Sequence, residues 1–413
     1  MSRPNREHGA RALAWALVLG LAGCSTPTSS TAELASPQPT RAPDDATVEP
    51  APDRALDDAT DSATEDAPPQ PLAEPEDTPA PDAVAGLRPL TDAQRQTLAA
   101  GDEDPPIPVE IHYVQSNEKR HDLFFPYITG RGGAYVGVGS DQNFTLIGRA
   151  RSELVFLMDI DYRVVGLHRI YGLLIPRAES PDALIEMFAE ERRDATIAAL
   201  EEGFRAQGLD DRAVRTLIGG YKAARETVYR HLKRVRDRAH DGAPTTWLSD
   251  PAMFKHIQTL HAQGRVRVMS GDLTGSSTLR TVAAACRALG VEVEVMYMSN
   301  AEEYFMYTPD FAQNIKGLPA SADAVVVRTI YSRKWPHPPH ALWAYQVQPL
   351  RDLQARLDDP RNRARKPMMR WAKNLGELNM DTGQKGLSLI ALEPITPGAA
   401  PTDAAAPEAT PTP

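Results

Sequence analysis

Apolar positions along this chain form short continuous runs separated by longer stretches of helical spacing, an alternation that predicts an α/β domain. Five runs have strand length: 134–138 (AYVGV), 154–158 (LVFLM), 266–269 (VRVM), 291–298 (VEVEVMYM) and 324–329 (AVVVRT). Runs that stay largely apolar on both faces suit a parallel sheet covered by helices. Helical patterns occupy 141–150, 164–174 and 279–289, with a longer set from 181 to about 264. Two later runs, 341–350 (ALWAYQVQPL) and 386–392 (GLSLIAL), flank a polar helical stretch and would close the sheet as an antiparallel pair. The expected fold is a Rossmann-like, doubly wound α/β domain with a mainly parallel seven-stranded sheet.

About a hundred residues separate the second run from the third, so a helical insertion is expected between strands 2 and 3, at about 180–248. Pro181 and Asp182 open its first helix, where Leu184, Ile185, Phe188, Ile197 and Leu200 recur near helical spacing. A second helix around 213–238 carries Lys222, Arg225, Arg230, Lys233, Arg234, Arg236 and Arg238. These read as a solvated face, or as a cap offering positive charge to an anionic substrate or to lipid headgroups. Residues 109–114 alternate like a half-buried strand, with His112 toward solvent.

The ends of the chain lack this patterning. Residues 24–105 are rich in Pro, Ala, Thr and Asp with almost nothing to bury, and predict a disordered tether reaching on the order of 50 Å. A similar tail covers 396–413, leaving 106–395 as the folded domain. The formal net charge is -10, and most of the acidic excess lies in the tether. The domain is therefore near neutral, with no electrostatic case for nucleic acid. Ahead of the tether, Arg3, Arg6 and Arg11 precede an apolar stretch, 12–23, too short to span a bilayer.

That stretch ends Leu21-Ala22-Gly23-Cys24, which resembles the lipobox of bacterial lipoproteins. The resemblance implies that 1–23 is a signal peptide and that Cys24 becomes a diacylglyceryl-modified N-terminus anchored in the cell envelope. Ser25 then favours the outer membrane. The second cysteine, Cys286, lies in an apolar helical pattern and predicts a small core residue, with no disulfide framework.

Candidate chemistry gathers where runs end. Gly137 and Gly139 follow the first strand and open a helix, the context a nucleotide-binding turn requires. Asp159 and Asp161 stand about twenty residues on, where a carboxylate can accept ribose hydroxyls. Asp272 and Leu273 follow the third run, and Asn300 the fourth. In this order the motifs resemble class I S-adenosylmethionine-dependent methyltransferases over about 134–350, extending at most to 392. The resemblance implies Gly137 and Gly139 against the methionine and ribose, Asp159 on the ribose, Asp272 and Leu273 at the adenine, and Asn300 beside the methyl-transfer centre. Asp141 stands where a third glycine is common, and can repel the cofactor's carboxylate or grip its amino group. The fourth strand lacks an Asn-Pro-Pro-Tyr motif, which argues against nucleic-base amines as acceptors.

Two functions follow: methyl transfer to a small molecule, or a non-catalytic binding or interaction lipoprotein that reuses the fold. The partners are then a membrane, through the lipid, and a small-molecule ligand. Ser116, Asn117, Glu118 and His121, ahead of the first glycine, mark a candidate lid. His337 and His340 read as turn residues rather than metal ligands, and no metal is expected.

Overall fold

The computed structural model describes residues 87–332 and 334–392; the signal sequence, Cys24, the tether up to 86 and the tail from 393 lie outside the described residues. Its main sheet has eight strands: β1 Ala134–Val138, β2 Leu154–Asp159, β5 Val266–Ser270, β6 Val293–Tyr297, β7 Ala320–Ile330, β8 Ala344–Pro349, β9 Leu378–Asn379 and β10 Leu387–Ile390. A two-stranded hairpin, β3 Ala239–His240 and β4 Ala243–Pro244, stands apart. The sheet order is β5-β2-β1-β6-β7-β8-β10-β9. The first five strands are parallel, and the chain reverses its direction of travel across the sheet between β1 and β6.

Alternate strand residues serve opposite faces, as the pleat requires. Tyr135, Leu157, Val295 and Val327 enter one core with α3 (Gln142–Ala150), α4 (Tyr162–Leu174), α7 (Asp211–Arg236) and α8 (Pro251–Ala262). Val136, Phe156, Met296 and Val326 enter the other with α1 (Asp92–Ala99), α9 (Thr278–Leu289), α10 (Pro309–Gly317), α11 (Leu350–Arg356) and α12 (Arg365–Asn374). Short α2 (Phe125–Ile128) leads into β1. Between β2 and β5, α5 (Pro181–Glu186) and α6 (Arg193–Ala206) join α7 as the expected insertion. Ser180 caps α5 and Asp210 caps α7 through side-chain oxygens that accept helix N–H groups. No helix among the described residues is long and apolar enough to cross a membrane.

Several expectations need correction. The sheet has eight strands, because the two-residue β9 joins the seven expected at the outer edge, beside β10. The runs expected as an antiparallel pair are β8 and β10, and they run parallel. The chain between them holds α11 and α12, a crossover long enough to return a strand in the same direction. Residues 87–105, expected in the tether, pack on the domain. Leu90 and Leu98 are buried, and Arg267 donates to the Leu98 and Ala100 carbonyls at 2.6 Å each. Two buried leucines, a capping box from Thr91 and Gln94 and these hydrogen bonds hold the arm within a polar composition. Residues 109–114 form no strand, and His112 reaches Asp161 instead of solvent. Cys286 is fully buried on α9, and burial pushes its thiol up to about 12.

Candidate functional site

In a doubly wound sheet the ligand crevice lies beyond the carboxyl ends of the strands where the order reverses. Here that is the space above β1 and β6. The chain itself crosses it. Running from α1 toward β1, residues 103–120 touch one strand end after another. Glu103 Oε2 accepts from Ser270 N at 2.9 Å beside β5, and Ile107 N donates to Ile160 O at 3.0 Å beside β2. His112 Nδ1 lies 2.9 Å from both Asp161 oxygens. At the β8 end, Tyr345 Oη accepts from Lys119 N and Arg120 N.

Glu118 is the centre of this crossing, 2 % exposed. Its Oε2 takes Tyr297 Oη at 2.5 Å and lies 2.8 Å from His121 Nε2. Its Oε1 takes Ser299 Oγ at 2.6 Å and Thr329 Oγ1 at 2.8 Å. Burial works to raise this carboxyl, but His121 and the hydroxyls of Ser299 and Tyr297 hold it below its usual value. Ser299 holds a left-handed backbone, φ 49, and its carbonyl accepts from Thr329 N. A conformation that disfavours side chains is thus fixed from two sides.

A second pair comes from the insertion. His231 on α7 places Nε2 2.8 Å from Asp141 Oδ1. Burial opposes the Asp141 charge, yet His231, Arg238 and His168 hold its carboxyl low. Burial drives His168 toward its neutral form, and its Nε2 donates to Gly139 O at 2.7 Å. Both carboxylate–imidazole pairs line one cavity of about 10 Å³, with Gln142, Ser116 and Arg238 also in its wall. That is room for about one water. Two paired imidazoles around a water can relay a proton, but general acid–base catalysis requires contact with a reacting group.

The residues expected at a cofactor are present at the crevice, but they face protein. A side chain added at Gly137 would collide with Asn143 and Tyr135, and one at Gly139 would meet Gln142 Nε2 at 2.5 Å. The glycines admit the chain's own amides. Asp159 accepts from Gly139 N at 3.0 Å and Asp161 N at 2.8 Å. Burial, reinforced by the charge of Asp161, raises its carboxyl to about 6 despite those bonds. Asp272 Oδ1 accepts from Thr274 N and Oγ1, Leu273 is buried, and Asn300 Nδ2 donates to Tyr304 Oη at 3.1 Å. Beside Asp272, Asp104 accepts from the N–H groups of Ser276, Ser277 and Thr278, anchoring the crossing segment to α9. Among the described residues, no group of three or more His, Cys, Asp or Glu side chains is arranged to hold a metal.

A family profile described as Domain of unknown function (DUF7790) matches residues 113–391. The chain belongs to this family. No curated protein matches it. The DUF7790 region takes in both carboxylate–imidazole pairs and every strand of the sheet, and leaves out α1 and Asp104. The network that fills the crevice is therefore part of the family region, whereas the arm that buttresses it precedes that region.

Sequence reasoning placed Glu118 and His121 in a lid but missed their partners. Tyr297, Ser299 and Thr329 are 179 to 211 residues away along the chain. The available signal was a buried-type acid and a histidine three apart, ahead of strands that end in hydroxyl residues. His231 sat unremarked among the basic residues of α7, several of which hold local contacts. Arg225 donates to Phe188 O at 2.8 Å, and Arg236 pairs with Asp182 at 3.1 Å.

Proposed function

We propose that this protein is a lipid-anchored component of the bacterial cell envelope, with the outer membrane favoured, whose DUF7790 domain is a non-catalytic binding module that reuses a Rossmann-like, methyltransferase-type arrangement. The order of its first five strands, with the reversal at β1 and β6, supports the Rossmann-like description. One observation carries the non-catalytic reading: the spaces beside Gly137 and Gly139 hold Asn143 and Gln142, and Asp159 is bound to the turn itself. S-adenosylmethionine is made in the cytosol, so export through the Leu21–Cys24 lipobox also separates the fold from that cofactor. Acyl burial at about 0.8 kcal/mol per methylene makes a multi-chain anchor effectively permanent.

Calorimetry and thermal shift of the full-length chain with S-adenosylmethionine and S-adenosylhomocysteine test the crevice reading. No heat and no shift are expected. Saturable binding that Asp159→Ala weakens by about 1.5 to 3 kcal/mol would establish the cofactor enzyme instead. Anchorage is tested separately by Cys24→Ala, which should release the protein from the membrane fraction; retention there would remove the lipid from the account.

A further inference from the structure

Outside the crevice, and lined in part by Arg120, Asp122 and Leu123, lies an open groove of about 610 Å³. Its size falls within the range of small-molecule sites. Four pieces of chain meet there: the turn carrying Arg120, Asp122 and Leu123, the β3–β4 hairpin, the loop after β7, and the turn before β10.

Its charged groups divide into satisfied and unsatisfied sets. Arg120 grips Asp122 through Nε and Nη2, at 2.9 and 2.8 Å, and Nη1 has no partner among the described residues. His240 Nε2 lies 3.3 Å from Asp241. Asp122 is thus paired with a guanidinium, whereas Asp241, 88 % exposed, touches only an imidazole and turns most of its carboxylate to solvent. Lys385 and His340 are exposed and have no hydrogen-bond or ion-pair partner among the described residues, and the Gln384 side-chain amide is likewise unengaged. Unengaged donors therefore outnumber unengaged acceptors, above an apolar wall of Leu123 and Pro339.

The spacing of the segments that carry these donors is set by the backbone. Asp241 and His340 both hold left-handed conformations, φ 50 and 57, which side chains rarely adopt. Gly386 packs against Pro338, where a Cβ would stand 2.6 Å from the proline nitrogen. That contact ties the loop of His340 to the turn of Lys385, so the backbone segments that carry the two donors are fixed relative to each other.

We propose that this groove binds a small organic oxyanion, a carboxylate or a phosphate monoester with an apolar body, held by Lys385, His340 and Arg120 Nη1. This deepens the binding-module reading by giving the module a ligand class; it relies on that reading for treating the ligand as cargo rather than substrate. The full-length chain would be titrated with benzoate and with phenyl phosphate, which distinguish the two oxyanions, and with benzylamine as the cationic counterpart. At least one anion should bind with a dissociation constant of about 10 mM or tighter, and benzylamine should not. Lys385→Glu should weaken the anion at least about tenfold, the loss expected for a charged hydrogen bond, with an unchanged melting temperature. The proposal is overturned if neither anion binds, if benzylamine binds as well as the anions, or if Lys385→Glu leaves anion affinity unchanged. S-adenosylmethionine binding in the crevice would sink the non-catalytic reading and leave these outcomes as they are.

Discussion

The crevice at the β1–β6 reversal and the groove beside the β3–β4 hairpin share one short segment, which gives Glu118 and His121 to the first and Arg120, Asp122 and Leu123 to the second, and they treat polar groups in opposite ways. In the crevice, Glu118 and Asp141 are buried and bound by the chain's own hydroxyls and imidazoles. In the groove, Lys385 and His340 stand exposed, with no hydrogen-bond or ion-pair partner among the described residues. A buried charge left unpaired is costly, so the crevice network should govern stability; exposed charges cost little to hold, so the groove should govern binding.

The largest expected effect comes from breaking the crevice. Glu118→Ala leaves three hydroxyls and an imidazole without their acceptor, and should lower unfolding free energy by about 3 to 5 kcal/mol in urea titration. A loss under 1 kcal/mol would mean the site is wetter than its burial implies.

Asp159 gives the next effect, through pH. Its folded carboxyl titrates at about 6, above the ordinary Asp value, so the folded state holds a proton that the unfolded chain has released. Its contribution is therefore full at low pH and is lost as pH rises from about 4 through 6. Asp159→Asn cannot titrate, so its stability relative to the native chain should improve by about 3 kcal/mol across that window. A pH-independent difference would place Asp159 in solvent, where a ribose could reach it.

A smaller effect tests the crossing segment. Asp104→Ala removes the acceptor for three N–H groups at the start of α9 and should cost about 2 kcal/mol. Smallest of all, Lys385→Glu should change stability by less than about 0.5 kcal/mol while altering anion binding. If Lys385→Glu destabilised as much as Glu118→Ala, the contrast between the two regions would collapse.

What was legible in the chain follows the same division. Apolar runs marked seven of the eight strands, because a strand buried on both faces must carry them. The two-residue β9 has no such run, and the parallel pairing of β8 with β10 depends on a crossover that periodicity does not register. The glycine turn and Asp159 were found where expected, at the carboxyl ends of β1 and β2. What occupies the turn was not legible: Asn143 and Gln142 fill their own glycines through side-chain direction, and His231 arrives from 90 residues away. The arm from 87 to 105 was hidden for another reason. Leu90 and Leu98 are too few to dominate a polar composition, yet both are buried.

Whether residues 116–124 form a permanent filling or an opening lid is decided most directly by amide hydrogen exchange in the native state. Arg120 N and Lys119 N donate to Tyr345 Oη, and Gly139 N donates to Asp159. In a permanent filling these three amides exchange within about tenfold of the slowest amides of β1, through global unfolding. Exchange at Lys119, Arg120 and Gly139 orders of magnitude faster than in β1 would show a crevice that opens, and would contradict the permanent filling.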